Sequence, residues 1–405
     1  VNKLKTNKVV IISAVRTPFD KFGGLMRDIP SIELGKKALE AVVDRVGLPK
    51  DKVEEIYYGT TISAEVGQYL NIPARQALLK AGFPSSTLSL TIDRACCSSM
   101  TAFQMAYRQI KYGETSIAIG AGAENLSNVP YIVSGARWGK RLGDLKMVDL
   151  MADIGYKGWN PVSVDASEVA VEYGVMREEQ DFWAYLSHQR YQTAFECGKF
   201  VDEVIPYEIT DAKGINTVIT ADQTPRPDTT TEKLAKLKTV YNTPTVTAGN
   251  APGLNAGASA ILLMSEEKAK TLGYEPLAYV DDVASKSDDA RYIASVPAAV
   301  IKLLLEKTGK TLDDISLIEI NEAFAAMPLV STKILANGDE TRLKKLRDMT
   351  NVNGGAIAIG HPMGATGARL IMTLMYELRR RGGTGIAAIC GGLAQGDAVM
   401  LTAAN

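Results

Sequence analysis

Cysteine is scarce in this sequence: four among 405 residues, with Cys96 and Cys97 adjacent. So few thiols in so long a chain make no disulfide framework, and no C-x-x-C stands near a second pair to suggest zinc. One or two working thiols in a reducing cytoplasm is the expectation. Net charge is missing too, at −1, so no overall basic field draws in nucleic acid or an anionic membrane. Any anionic ligand must be met by local Lys and Arg or by helix N-termini. Apolar runs long enough to cross a membrane are absent. The opening V-N-K-L-K-T-N-K before V-V-I-I-S-A-V has the look of a signal peptide, but Arg16 cuts the apolar run short and no small-residue cleavage site follows. An opening strand is the expectation.

What is present suits an α/β protein. The length exceeds one ordinary core and predicts two or three packed units. Apolar residues at 46% against 22% charged fit that class. Val- and Ile-rich runs alternate with helical patterns, the signature of parallel strands joined by crossover helices. Strands are predicted over 9–15, 53–58 and 116–122, with an amphipathic helix over 33–46 and a helix over 96–112. The same order recurs late: a helix over 297–308, a strand over 315–320, a helix over 364–380 and a strand over 385–390. G-E-T-S-I-A-I-G-A-G from Gly113 matches G-G-T-G-I-A-A-I-C-G from Gly382. Similarity at so long a spacing means a duplicated domain rather than a solenoid.

Between the halves the chain is richer in Trp, Tyr, charge and Pro, with a helix around 178–197. An insertion on a rigid scaffold is a usual seat of specificity. The expected fold is therefore duplicated α/β halves with an inserted loop domain. Residues 1–122 form the first half, 123–247 the insertion and 248–405 the second half, with 248–274 completing the first.

Cys96 lies in T-I-D-R-A-C-C-S-S-M at a predicted strand-to-helix junction. Backbone N–H groups and the helix dipole there favour thiolate, so Cys96 is either a nucleophile or a small buried hydrophobe. Cys97, facing the opposite way, reads as structural. Of two histidines, His361 sits in the Gly-dense N-G-G-A-I-A-I-G-H-P-M-G-A-T-G-A-R, where a base for a Cys is plausible chemistry. His188, mid-helix in Y-L-S-H-Q-R, reads as a packing or surface residue. Cys390, before Gly391 and Gly392, is a second site thiol or a strand-end residue.

Together these segments resemble the thiolases along essentially the whole chain. A-V-R-T-P-F-D-K-F-G-G is similar to the family's opening strand and turn; N-E-A-F-A at 321–325, G-H-P-M-G-A-T-G-A-R and C-G-G-L-A-Q-G are similar to its C-terminal signatures. The resemblance implies a duplicated, layered α/β/α fold and ping-pong cleavage or formation of a 3-ketoacyl-CoA through an acyl-Cys96. It makes His361 the base for Cys96 and Cys390 the acid/base at the α-carbon. Asn321 would hold a water that forms one oxyanion hole with His361, and the N–H groups of Cys96 and Gly392 would form the other. Coenzyme A would be a substrate, with no permanently bound cofactor and no metal. Arg226 would meet its nucleotide end, while Tyr241, Ala248, Gly249, Asn250 and Phe324 would line the pantetheine tunnel. A homodimer or tetramer is implied, and some atypical members work with a small zinc and OB-fold partner subunit.

The sequence also departs from the family pattern. Asp93, Cys97 and Ser99 stand where the nucleophile motif usually has Asn and Gly, and Pro252 replaces a common Ser. Pro161-Val162 replaces the His-Met of acetoacetyl-CoA thiolases, and Arg291-Tyr292 falls near a second pocket Met. Loss of those Met side chains argues against a dedicated acetoacetyl-CoA enzyme. An Arg291 at the pocket would fork onto a substrate carboxylate, which suggests a carboxylated or aryl substrate such as 3-oxoadipyl-CoA or benzoylsuccinyl-CoA; otherwise it is a solvated charge beside Asp288 and Asp289. The alternatives are a short-chain acetyl-CoA acetyltransferase, a condensing enzyme on the same fold, a cysteine hydrolase, and a non-catalytic lipid-carrier or scaffold subunit. A paired-histidine condensing site is disfavoured because only His188 remains, and retention of Cys96, Asn321, His361 and Cys390 speaks against a non-catalytic role.

Overall fold

The opening Val and Ile run forms β1 (Val9–Arg16), buried at every position. The computed structural model describes residues 6–63, 71–151, 155–210 and 214–404, so the first five residues of the signal-like opening lie outside it. There follow β2 (Asp20–Lys21), α1 (Ser31–Asp44), β3 (Glu55–Gly59), α2 (Pro73–Lys80), β4 (Leu88–Ile92), α3 (Ser98–Tyr112) and β5 (Ile117–Asn125). The insertion carries two short antiparallel pairs, β6 (Tyr131–Ile132) with β7 (Val148–Asp149) and β8 (Tyr207–Thr210) with β9 (Asn216–Ile219). Its helices are α4 (Val162–Glu172), α5 (Arg177–Glu196) and α6 (Thr231–Ala235). The chain returns through β10 (Asn255–Ser265), α7 (Glu266–Leu272), β11 (Ala278–Ser287), α8 (Val296–Thr308) and β12 (Leu317–Ile320). It closes with α9 (Ala326–Ala336), α10 (Glu340–Asp348), α11 (Ala356–Ile359), α12 (Met363–Arg381), β13 (Thr384–Gly391) and β14 (Gln395–Ala403).

Strand order is β12-β13-β14-β11-β1-β10-β5-β3-β4, with β2 beside β10. The duplication is visible in this order. β1, β10, β5 and β3 pair antiparallel, antiparallel, parallel; β11, β14, β13 and β12 repeat that series. β1 meets β11 antiparallel between the halves, Val9 opposite Val280. The sheet is thus mixed, not the parallel one read from the sequence. Buried strands of either direction carry the same continuous apolar runs, so composition alone does not distinguish them.

Alternate residues of β1 face different layers. Val10, Ile12 and Val15 join α1 and α2 in one core, while Val9, Ile11 and Ala14 join α3 and α12 in another. The second half buries its other face against α8, α9, α4 and α5. Helices α3 and α12 therefore lie between the two halves, covered on both sides by strands. That central layer brings the ends of two equivalent helices to one place, and it carries the candidate site.

Candidate active site

The loops before α3 and α12 supply the two residues that touch. Helix α3 starts at Ser98 and α12 at Met363, so Cys96 and His361 each stand two residues ahead of equivalent helices. His361 Nε2 lies 3.2 Å from Cys96 Sγ. Cys96 follows Ala95, whose φ of +49° turns the chain sharply. That turn is held by Asp93 Oδ1 accepting from Ala95 N at 3.0 Å and by Ser98 Oγ accepting from Arg94 N at 2.9 Å. Arg94 is tied to β14 by Asp397 at 2.6 Å and Gln395 at 2.9 Å. Ser99, one of the departures from the family pattern, accepts from Ala368 N at 3.0 Å and links α3 to α12.

The imidazole is fixed from behind. Thr366 Oγ1 donates to Pro362 O at 2.9 Å and stands 2.7 Å from His361 Nδ1. With its hydroxyl proton spent on the carbonyl, Thr366 accepts from Nδ1–H. Nε2 is then left with a lone pair aimed at the thiol. The backbone N of His361 donates to Asn255 Oδ1 at 2.8 Å, and Asn255 Nδ2 donates to Asp20 O and Thr224 Oγ1, both at 2.9 Å. Glu124 receives Gly364 N at 3.0 Å, Thr61 N at 2.9 Å and Thr61 Oγ1 at 2.6 Å. These contacts clamp the histidine loop to the first half.

Burial decides the charge states. It pushes the Cys96 thiol up to about 12, against the lowering effect of a backbone N–H and with Glu124 and Asp93 adding to the rise. The N–H acts in the direction read from the sequence, but desolvation outweighs it, which corrects the expectation of a stabilised thiolate. Burial, then the Arg369 charge, lowers His361 to about 3. The resting pair is a neutral thiol donating to a neutral imidazole. Cys390, fully buried at the end of β13, is also pushed up by burial and then by Cys96. Cys97 is buried with Sγ turned to the Ile389 and Gln395 carbonyls, in keeping with a structural reading.

Asn321 follows β12 directly, and its Nδ2 lies 3.4 Å from His361 Nε2. Among the described residues its Oδ1 is buried without a hydrogen-bond partner. An unpaired buried acceptor is costly unless something small and polar is met there. The neighbouring Glu322 receives Trp183 Nε1 at 2.9 Å, Ser187 Oγ at 2.8 Å and Asn351 Nδ2 at 2.9 Å, which fixes the turn bearing Asn321. Gly392 is buried in the turn after β13.

The residues expected to meet coenzyme A divide. Arg226, Tyr241 and Ala248 are exposed, and Phe324 is half-buried. Gly249 is buried against Leu234 and Leu237 instead, and the Asn250 side chain is spent on Asp181, Thr245 and Thr247. His188 is buried in α5, not on the surface, and its Nδ1 accepts from Arg226 N at 3.2 Å. Val162 opens α4 and packs on the second-half core. The Arg291 guanidinium pairs with Glu172 at 3.0 Å and lies over the Tyr292 ring. Thr366, Asn255 and Glu124 carry no sequence signal of their own: Asn255 and Glu124 meet the histidine loop from more than a hundred positions away, and a threonine in the first turn of a helix is too common to mark. Among the described residues, no cluster of three or more His, Cys, Asp or Glu could hold a metal ion.

Comparison with known proteins agrees along the whole chain. Residues 9–267 match the thiolase N-terminal domain and residues 274–403 the thiolase C-terminal domain. An acetyl-CoA acetyltransferase of Chromobacterium violaceum is 39% identical over 398 residues, covering 97% of this chain and 98% of that protein. The crystal structure of the Bacillus anthracis acetyl-CoA acetyltransferase superposes with a TM-score of 0.93 at 37% identity, covering 99% of this chain and 100% of that one. Human mitochondrial 3-ketoacyl-CoA thiolase in complex with CoA superposes with a TM-score of 0.90 at 34% identity, covering 98% of each chain.

Proposed function

This chain belongs to the thiolase family and is an acyltransferase, and we propose that it cleaves an uncharged 3-ketoacyl-CoA with coenzyme A through an acyl-Cys96 intermediate. The observation that carries this reading is the 3.2 Å contact of the His361 Nε2 lone pair with the Cys96 thiol.

His361 takes the thiol proton as Sγ attacks the 3-keto carbon. Because burial disfavours a resting ion pair, proton transfer and attack proceed together. The tetrahedral oxyanion is met by the N–H groups of Cys96 and Gly392. Its collapse breaks the bond between the keto carbon and the α-carbon, and the electron pair leaves with acetyl-CoA. Cys390 supplies the proton to that carbon. The incoming CoA thiol then gives its proton to the Cys390 thiolate and attacks acyl-Cys96; the new acyl-CoA is released and the departing Cys96 thiolate takes its proton back from His361. Asn321, with its unpaired Oδ1, would hold the water that stabilises the enolate oxygen beside His361.

The ion pair between Arg291 and Glu172 engages the guanidinium that a substrate carboxylate would need, and so favours an uncharged acyl group over a carboxylated one. A guanidinium already neutralised, with 40% of its side chain exposed, has little to offer a substrate carboxylate. Coenzyme A is read as substrate, and a homodimer or tetramer, with or without a small partner subunit, as the working form. Incubation with acetoacetyl-CoA should add one acetyl group to wild-type protein by intact mass, on Cys96 by peptide mapping. Cys96→Ser should fold normally and lose essentially all thiolysis. Full turnover by that variant, or an acyl group on another residue, would sink the mechanism.

A further inference from the structure

Tyr156 belongs to none of the motifs above, yet its hydroxyl lies at the reacting centre. A Cβ built on Gly392 would stand 1.7 Å from the Tyr156 hydroxyl oxygen and 2.3 Å from Cζ. The tip of the phenol therefore fills the space that a side chain would take at the residue after the Cys390-Gly391 strand end. The groups whose charge reaches it are Cys96, Asp93, Cys97 and Cys390, which include both working thiols. Burial, followed by those charges, pushes its hydroxyl well above the ordinary phenol range. It is a neutral ring with a proton to donate, and it has no hydrogen-bond partner among the described residues.

Its placement in the chain is equally telling. Tyr156 sits ahead of α4 and is held by Trp159 N donating to its carbonyl at 2.9 Å. It lies five residues before Pro161-Val162, the pair found where acetoacetyl-CoA thiolases commonly carry His-Met. The aromatic ring reaches in from this same segment to stand against Gly392. Arg291, the other sequence candidate for the pocket, is engaged with Glu172.

We propose that Tyr156 is the specificity-determining residue at the acyl end of this site. Its ring closes the space beside Cys96 and Gly392 and limits the acyl group carried on Cys96 to a few carbons. The proposal rests on the thiolase reading and deepens it. A rigid ring discriminates by size alone: each methylene that no longer fits is worth about 10-fold or more in kcat/KM.

The test compares wild type, Tyr156→Phe and Tyr156→Ala in thiolysis of acetoacetyl-CoA, 3-ketohexanoyl-CoA and 3-ketooctanoyl-CoA. Wild type should favour the shortest substrate. In Tyr156→Ala the ratio of 3-ketooctanoyl-CoA to acetoacetyl-CoA kcat/KM should rise about 10-fold or more, while Tyr156→Phe keeps the wild-type ratio because the ring remains. An unchanged ratio in Tyr156→Ala overturns the proposal, and so does a wild type that prefers the longest substrate. If Tyr156→Ala does not fold, Tyr156→Trp serves instead: the larger ring should depress 3-ketohexanoyl-CoA cleavage more than acetoacetyl-CoA cleavage, and equal depression overturns the proposal. Wild type that cleaves none of the three would instead defeat the thiolase reading itself, so the two failures are distinguishable.

Discussion

A histidine works as a base only if the correct nitrogen carries the lone pair, and here Thr366 makes that choice. Its hydroxyl proton is committed to Pro362 O, so it accepts from Nδ1–H and leaves Nε2 for the thiol. Thr366→Val removes the acceptor. The imidazole is then free to protonate Nε2, where it faces the thiol with a proton of its own. We expect kcat for thiolysis to fall about 10- to 100-fold with KM little changed, and the alkylation rate of Cys96 by iodoacetamide to fall in parallel. Thr366→Ser should restore both. A loss of stability with an unchanged alkylation rate would assign Thr366 a purely structural part. The sequence pointed to His361 and Cys390 because each stands beside glycines whose density reports close backbone approach, to Cys96 by its strand-to-helix junction, and to Asn321 only through the resemblance of N-E-A-F-A. It said nothing of Thr366, Asn255 or Tyr156, whose meaning comes only from what they touch. At Arg291 it left a pocket charge and a solvated charge both open, because one-dimensional proximity to a pocket motif says nothing of Glu172, which lies on another element.

The elements that set the site geometry are α3 and α12. Their contact is close: a Cβ on Gly367 would stand 2.4 Å from Met100 N and 2.7 Å from Met100 Cβ. Cys96 and His361 hang from the N-terminal ends of these two helices, so the interhelical distance fixes the distance between thiol and imidazole. Gly367→Ala must push the helices apart or distort one of them. Overpacking of this kind costs about 1–3 kcal/mol, and a displacement near 1 Å at the reacting atoms costs about 100-fold in rate. We expect urea unfolding to register the first and kcat the second, with kcat falling far beyond what the folded fraction explains. Retained kcat in the folded protein would show that the loops, not the helices, hold the geometry. Both helices were legible as helices, and the recurrence after Gly113 and Gly382 located them as equivalents. The partner strands β10, β11 and β14 were not read. A-G-A-S-A-I-L-L-M-S and Q-G-D-A-V-M-L-T-A lack the β-branched density that marks a strand, and their place is decided by pairing with β5, β1 and β13.

At the scale of the whole molecule the insertion must be locked to the duplicated halves, and a buried charge cluster does this. Arg16, at the end of β1, meets Glu203 at 2.8 Å and Asp222 at 2.6 Å, with all three side chains essentially inaccessible. Asp222 also receives Phe19 N at 2.8 Å and the Tyr191 hydroxyl of α5 at 3.2 Å, and Glu203 receives Thr373 of α12 at 3.1 Å. One cluster thus joins the first strand, the insertion and the central helix layer. Removing the cation strands two buried carboxylates, which costs about 3–5 kcal/mol. The pH dependence separates that penalty from lost packing. Burial raises Glu203, and the Arg16 charge opposes the rise. In Arg16→Ala that opposition is gone, so the folded-state pKa climbs further above its unfolded value. The variant's native state then holds a proton that its unfolded state has released. Its stability recovers as pH falls through the raised pKa, since stability grows toward low pH wherever the native state binds more protons. The deficit relative to wild type, measured by urea unfolding, should be largest near pH 8 and smaller near pH 5.5. A deficit of equal size at both would mean that the missing side-chain volume, and not the orphaned charge, destabilises the variant. Because Asn255 also binds Thr224, two residues beyond Asp222, loosening the cluster should reach His361 through the insertion and lower kcat even in the folded variant.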